Sequence, residues 1–418
     1  MTEKKENYIF VLGSNPALSL AEIISLFSKD KILDSSREVT LLNTNKLNPE
    51  IINHLGGTIK VAQVFGEMSK NNFDLEKIIE IIGDEILKLS FLKNKKTHFG
   101  ISVYNMNASN SFFRRLSRSH SYLYINLKKR LAKEGVRIAY LRSKEVALSS
   151  ASVIKNKLNT SEGLEVQVVV SSDKIFLAKT IAIQDIGNYR KYDIGRPYRD
   201  LVSGTTPPKL AKIMINLASG ELKNKFLDPF CGSGTFLQEA ALLGYSNVYG
   251  GDLSQKAIFE SRENIRWLKN ENKNINTFFE IDKIDARKLS KKFKNGYFDA
   301  IASEGYLGPP LKGFLDEAIL NKNIKDLENL YKDALKEISL VLADGGRVVL
   351  VLPAFKTGGQ TKYLNLRSCI KAPGLSVINP CKEAEKFSEF ITERGSFIYS
   401  RADQYVLREI LILKKEIK

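Results

Sequence analysis

Cysteine is scarce in this 418-residue chain: Cys231, Cys369 and Cys381 stand far apart, with no Cys-x-x-Cys pair among them. That pattern argues against a disulfide framework or a zinc knuckle and points to a reducing, cytoplasmic compartment. The three histidines, His54, His98 and His120, are scattered and read as surface or core residues, so no metal site is expected. Long apolar runs are missing too. Val348–Pro353 with its neighbours is among the longest. It is strand-sized, far short of the ~18 residues that cross a bilayer, and no membrane partner is expected. Near the amino terminus the apolar stretch is brief and ends in Gly13-Ser-Asn-Pro16, which reads as a strand and a turn, not a secretory signal. What is present suits a folded protein: 43% hydrophobic and 27% charged residues exclude wholesale disorder.

One region lacks acid. Lys plus Arg number 64 against 47 Asp plus Glu, a formal charge of +17. From Lys93 to Lys157 there are 15 basic residues and two acidic ones, Glu134 and Glu145, so these 65 residues hold +13 of that total. Aromatic and small polar side chains are interleaved, among them Phe112, Phe113, Tyr122, Tyr124, Asn107 and Ser109. A solvated basic face is the plainer reading of a lysine run. Scarce acid with interleaved aromatics instead favours a polyanion partner, above all nucleic acid. An anionic membrane fits less well, because no strongly amphipathic basic helix with Trp anchors is present. The candidate nucleic-acid contacts are Arg114, Arg115, Arg118, Lys128, Lys129 and Arg130.

At this length two or three domains are expected, since single cores stop growing near ~250 residues. Tyr8–Leu12 reads as a strand. Ser19 and Glu22 form a capping-box pattern, with Leu20, Ile23, Ile24 and Phe27 on one helical face. Strands around Val39–Leu42 and Lys60–Phe65 and a helix through Leu75–Leu89 complete an α+β module over residues 1–92. A second module, 93–183, has a strand at Phe99–Tyr104, a basic helix at Ser111–Leu131, and strands at Val136–Tyr140, Val166–Val170 and Ile175–Ile183. Residues 184–206, with Gly187, Gly195, Pro197 and Gly204, read as a linker. From 207 to 418 strands alternate with helices, the pattern of a parallel α/β sheet.

The sharpest motif is Asp228-Pro-Phe-Cys-Gly-Ser-Gly-Thr-Phe236, set between a short strand, Lys225–Leu227, and a helix, Thr235–Leu243. Gly232 and Gly234 let the backbone turn sharply and approach a ligand at a helix amino terminus. Asp252 ends the next strand, where a carboxylate can hold the two hydroxyls of a ribose. Asp285-Ala286 follow a third strand, where they can receive an adenine amine. A fourth strand ends in Phe298-Asp-Ala-Ile-Ala-Ser303. Successive strand ends place these groups at the carboxyl edge of a doubly wound sheet. The rival is a nicotinamide-binding Rossmann protein, which needs Gly-x-Gly-x-x-Gly; Leu237 stands where its third glycine belongs. Cys231 lies inside the loop and is not supported as a nucleophile, and Asp344-Gly-Gly346 reads as a turn before the strand Arg347–Leu352.

The block Asp228–Thr235 resembles motif I of the class I S-adenosylmethionine-dependent methyltransferases, in the branch that methylates exocyclic amines of nucleic-acid bases. Tyr8–Glu22, Gly204–Leu217 and the tail Tyr399–Ile410 resemble the THUMP-domain tRNA guanosine-N2 methyltransferases, so the likeness spans nearly the whole chain. The resemblance implies a ferredoxin-like domain at 1–92, a THUMP RNA-binding domain at 93–183, and a Rossmann-like class I methyltransferase domain at 207–418. It implies S-adenosyl-L-methionine as cofactor, held by Asp228, Phe230, Gly232, Gly234, Asp252, Leu253, Asp285 and Ala286, and tRNA as partner. Some relatives work with a small activator subunit, and the sequence leaves open whether this chain does.

One departure stands out. The family carries Asp/Asn-Pro-Pro-Tyr/Phe after the fourth strand, whereas this chain has Glu304-Gly-Tyr-Leu-Gly308 followed by Pro309-Pro310. By the resemblance, Glu304 accepts hydrogen bonds from the target amine, and Tyr306, one position early, helps hold the extruded base. The expected activity is methyl transfer to N2 of a tRNA guanosine, with no metal. The alternatives are a non-catalytic RNA-binding protein on the same scaffold, or an amine methyltransferase acting on another base.

Overall fold

The computed structural model describes residues 5–88, 96–141, 143, 145–199, 205–219, 224–309, 316–357, 359–371, 373–400 and 404–417. Lys93, Lys95, Arg142, Lys144, Gly204, Pro310 and residues 401–403, which figure in the motifs above, lie outside the described residues. The chain forms two units, Met1–Pro16 with Phe27–Ile186, and Ala17–Leu26 with Gly187–Lys418.

In chain order the first part comprises β1 (Glu6–Leu12), α1 (Pro16–Phe27), β2 (Ile32–Ser35), β3 (Val39–Thr44), β4 (Thr58–Ser69) and α2 (Leu75–Lys88). There follow β5 (Lys96–Asn105), α3 (Asn110–Arg118), α4 (His120–Lys133), β6 (Arg137–Tyr140), α5 (Ser150–Lys155), β7 (Gly163–Val170) and β8 (Lys174–Ile183). All eight strands lie in one sheet of order β2-β3-β1-β4-β8-β7-β5-β6. The two modules expected to meet near residue 92 therefore share a sheet: β4 pairs antiparallel with β8, from Lys60 opposite Ile183 to Ser69 opposite Lys174. β4 outruns its expected end at Phe65 because a register shift between Val64 and Gly66 carries the pairing past the glycine.

The core of this unit sets Ile78, Ile82 and Ile86 of α2 and Leu116, Leu123 and Leu127 of α3 and α4 against Ile101, Val103, Val166 and Val168. The basic segment is two helices, not the one expected. In Ser117-Arg-Ser-His-Ser121 the hydroxyls of Ser117 and Ser119 donate back to the carbonyls of Phe113 and Arg115, at 2.8 and 3.1 Å. Such bonds compete with the helical ladder, and the chain breaks at Ser119.

α1 belongs to the second unit through residues 17–26. It starts at Pro16, where the missing N–H costs no helical bond. Ser19 and Glu22 therefore lie inside the helix rather than forming the expected capping box. Both are buried, and Glu22 accepts a 2.7 Å bond from Asn216 Nδ2.

The second unit continues with α6 (Ile186–Ile194), α7 (Pro208–Ala218), β9 (Lys225–Asp228), α8 (Thr235–Leu242), β10 (Asn247–Asp252), α9 (Gln255–Glu271), β11 (Phe278–Lys283) and β12 (Phe298–Glu304). It closes with α10 (Glu317–Val341), β13 (Leu342–Thr357), β14 (Gln360–Tyr363), α11 (Arg367–Lys371), β15 (Leu375–Val377), β16 (Phe397–Tyr399) and β17 (Val406–Lys415). The sheet order is β11-β10-β9-β12-β13-β17-β15, with β14 on β13 and β16 on β17. The first five of these run parallel, and β17 is antiparallel to β13. β9, first in sequence, sits between β10 and β12. That makes it the topological switch point, where a crevice opens at the carboxyl ends of the strands.

β13 is buried continuously over 348–355, as a central strand covered on both faces must be. Asp344-Gly-Gly346 is part of this strand rather than a turn ahead of it, and the pairing with β12 shifts register there. The expected linker is also structured. It contains α6, and Asn264 of α9 grips Tyr198 by accepting its N–H at 3.0 Å and donating to its carbonyl at 2.9 Å. Among the described residues no helix is long and apolar enough to cross a membrane.

Candidate functional site

A cleft of about 1130 Å³ lies at the switch point. The loop after β9, the ends of β10 and β12, the turn after β11 and the start of β17 all line it. Cavities of roughly 300–1,000 Å³ hold one drug-sized ligand, so this cleft has room for a cofactor and a second group beside it. Asp228, Phe230, Gly232, Asp252, Leu253, Asp285, Ala286, Glu304 and Tyr306, all named from the sequence, line it. Gly234 stands just behind, as the N-cap of α8.

The loop has the shape its glycines allow. Gly232 and Gly234 have φ of 49° and 87°, in the left-handed region that a side chain disfavours. A β-carbon at Gly232 would meet nothing within 4 Å, so the backbone there is open to an incoming group. Two bonds tie the loop to β10: Cys231 N–H donates to the Gly251 carbonyl at 2.9 Å, and Gly232 N–H to Asp252 Oδ2 at 3.0 Å. The Cys231 thiol is buried, and burial pushes its pKa well up, so it stays protonated and unreactive.

The carboxylates differ in how far they are satisfied. Asp228 is 1% exposed, and its Oδ1 accepts from Phe230 N–H at 3.1 Å and from Ser303 Oγ at 2.5 Å. Its Oδ2 has no partner among the described residues. Burial pushes this carboxyl up to about 7, against the lowering effect of those two bonds. Asp252 accepts from Gly232 N–H and, through Oδ1, from Ser254 N–H at 2.8 Å, which leaves lone pairs on both oxygens. Asp285 is engaged more fully. Arg287 brings Nε to Oδ1 at 2.9 Å and Nη2 to Oδ2 at 2.7 Å, and these bonds hold the carboxyl below its usual range.

Glu304 ends β12 and faces the same cleft. Its Oε1 accepts from Arg408 Nε at 2.9 Å with Nη2 also 2.9 Å away, and its Oε2 accepts from the Thr206 hydroxyl. Tyr306 is 55% exposed, and its carbonyl accepts a 2.9 Å bond from Tyr331 OH. Gly305 is required by that contact, because a β-carbon there would run into the Tyr331 hydroxyl.

The basic candidates lie in the other unit. Arg114, Arg115, Arg118, Lys128 and Lys129 are exposed on α3 and α4. Arg115 stacks over Phe73 and Phe112, at 4.9 and 5.0 Å. Arg130 differs, since its guanidinium pairs with Asp84 at 2.5 Å and its stem lies against Gly83.

An S-adenosylmethionine cofactor fits these residues. The unpartnered Asp228 Oδ2 and the spare lone pairs of Asp252 await donors, and the open backbone at Gly232 admits close approach. Asp285 fits less directly, because a donor amine there shares the carboxylate with Arg287. Arg408, Thr206 and Ser303 escaped the sequence reading. One signal was available: Arg408-Glu409 is a charged pair inside the otherwise apolar strand Val406–Leu413, and charges buried in such a strand need partners.

Residues 196–361 match the family described as UPF0020, RMKL-like, methyltransferase domain. A tRNA (guanine(10)-N2)-dimethyltransferase of Methanothermobacter thermautotrophicus is 28% identical over 275 residues, 64% of this chain and 68% of that protein. A tRNA (guanine(6)-N2)-methyltransferase of Thermus thermophilus is 39% identical over 92 residues, 19% of this chain and 28% of that protein. In structure, TrmN from Thermus thermophilus matches over 98% of this chain and 99% of its own, with a TM-score of 0.51 at 18% identity, a likeness of fold. Cleft, loop and these matches agree: the chain is an S-adenosylmethionine-dependent methyltransferase, and its residues 196–361 match the RMKL-like methyltransferase domain.

Proposed function

We propose that this chain transfers a methyl group to the exocyclic N2 of a guanosine in tRNA. The observation that carries the reading is the position of Glu304, whose carboxylate faces the same cleft as the loop from Asp228 to Gly234. Bound S-adenosylmethionine supplies an electrophilic methyl group on its sulfonium. Glu304 accepts a hydrogen bond from the amine, aims the nitrogen lone pair, and can take the proton that the nitrogen sheds on methylation; catalysis comes mainly from that positioning. The half-exposed ring of Tyr306 offers a stacking face to an extruded base. Asp228, Asp252 and the loop backbone hold the cofactor. Arg114, Arg118, Lys128 and Lys129 supply phosphate contacts in the other unit.

The relatives named above modify guanosine N2 and differ in the nucleotide, 10 in one and 6 in the other. The test is methyl transfer by the purified protein to unmodified tRNA transcripts, followed by mass spectrometry of the nucleosides. N2-methylguanosine is expected, and replacing G6 or G10 in turn locates it. Glu304→Ala is expected to lower single-turnover transfer on the order of 10²-fold or more, and Glu304→Gln, which keeps a carbonyl, by less. A wild type that binds tRNA but never methylates it would leave an RNA-binding protein instead.

A further inference from the structure

We infer that Arg408 is a positioning residue for methyl transfer, fixing Glu304 so that a single acceptor direction of its carboxylate meets the target amine. The inference rests on the function proposed above, because it concerns how that same carboxylate is aimed.

Arg408 is 6% exposed in β17, where Leu407 and the segment 410–413 are buried and apolar. A guanidinium in such a strand is costly to desolvate unless it is paired and hydrogen-bonded. Its partner is Glu304. Two of its nitrogens converge on Oε1, each at 2.9 Å, while the Thr206 hydroxyl donates to Oε2. A carboxylate has about four acceptor directions across its oxygens. The Arg408 guanidinium covers Oε1, with Nε donating and Nη2 alongside, and Thr206 takes one direction on Oε2, so the other direction on Oε2 remains among the described residues.

The restraint matters for a glutamate more than for a shorter acid. Its side chain has an extra rotatable bond, and a misplacement of about 1 Å at a reacting group can cost on the order of 10²-fold in rate. Arg408 also balances charge. Burial raises the pKa of the Asp228 carboxyl from β9 and of the Tyr331 phenol from α10, and the Glu304 carboxylate adds to both shifts electrostatically. Both carboxylates line the one cleft, and the Arg408 cation compensates them.

The test is a double-mutant cycle read by single-turnover transfer to tRNA, with the wild type, Glu304→Ala, Arg408→Ala and the double variant. Arg408→Ala is expected to slow transfer about 10- to 100-fold, with cofactor and tRNA affinities within about threefold of wild type. The double variant should be no slower than Glu304→Ala alone, because Arg408 then has nothing left to hold. Free guanidinium ion in the low millimolar range should restore transfer to Arg408→Ala but not to the double variant. Losses that multiply, with no rescue by guanidinium, would show a purely structural role and overturn the inference. Should Arg408→Ala not fold, Arg408→Lys keeps the charge and loses the two-pronged contact. It is expected to slow transfer several-fold, and a wild-type rate there overturns the inference as well. A wild type with no transfer to any tRNA defeats the proposed function and the positioning role together, whereas an active wild type with multiplying losses defeats the positioning role alone.

Discussion

Two buried carboxylates, one from each unit, are treated oppositely. In the first unit Glu165 is fully buried beside the equally buried Lys60, with Nζ 2.6 Å from Oε1. Ser102 also donates to Oε1, and Thr180 donates to Oε2, each at 2.6 Å. Lys60 spends its other protons on the Leu148 carbonyl at 2.6 Å and on Tyr104 OH at 3.4 Å. Every member has a partner from a neighbouring segment. In the second unit Asp228 is just as buried, yet one oxygen is left over. The closed network pins β4, β5, β7 and β8 together. An open one holds a place for something that arrives later. Between these two carboxylates it is the completeness of hydrogen bonding that differs, not the burial.

The contrast can be broken most forcefully at Glu165. Replacing it with Ala leaves the Lys60 ammonium buried without its counter-charge, and the loss of one partner of a buried pair typically costs about 3–5 kcal/mol. Urea denaturation of Glu165→Ala should show a loss of that size, and the paired change Lys60→Met with Glu165→Leu should recover much of it. A loss below about 1 kcal/mol would mean that the network is incidental to the fold.

Asp252 tests the open side. Among the described residues its oxygens take only the N–H groups of Gly232 and Ser254, so most of what Asp252→Ala removes is a charged acceptor for the ribose. Hydrogen bonds to charged groups contribute about 1.5–3 kcal/mol, so calorimetry should find S-adenosylmethionine bound about 10- to 100-fold more weakly. The cost to folding should stay near that of one helix cap, about 1 kcal/mol, since Ser254 itself caps α9. Unchanged cofactor affinity would remove Asp252 from the site.

These side chains were unequally legible in the sequence. Motif spacing singled out Asp228, Asp252 and Asp285, and the family resemblance Glu304; each ends a strand or, for Asp285, follows one by two residues, and strand ends in a parallel sheet meet at one edge whatever the rest of the chain does. The apolar run Val348–Pro353 announced a strand by its length, and only the folded sheet shows that the strand is central. Partners from distant segments carry no such mark. Thr206 and Arg408 meet Glu304 from positions about a hundred residues away on either side, and only the closed sheet brings them together. Boundaries failed where side chains overrode pattern: serine hydroxyls split the basic helix, Pro16 moved the start of α1 ahead of the capping-box residues, and the β4–β8 pairing joined two stretches that composition had separated.

The smallest expected effect is a fraction of a proton at Asp228. Burial raises this carboxyl to about 7, so near neutral pH a large share of the free protein carries it protonated. The folded value lies above the unfolded one. The folded state therefore binds the proton more tightly, and the stability it contributes is present at low pH and lost as pH rises through about 7. A ligand that donates to Oδ2 favours the ionised form and reverses that shift, so cofactor binding should release a proton from Asp228. At pH 7 the release should be about half a proton per site. Calorimetric titrations of S-adenosylmethionine in two buffers of different ionisation enthalpy read it directly, as a difference in observed binding heat. The difference should shrink at pH 8.5, where Asp228 is already ionised, and vanish in Asp228→Asn at any pH. Equal heats in both buffers at pH 7 would mean that the open oxygen of Asp228 does not meet the cofactor, and that its incompleteness serves the second substrate instead.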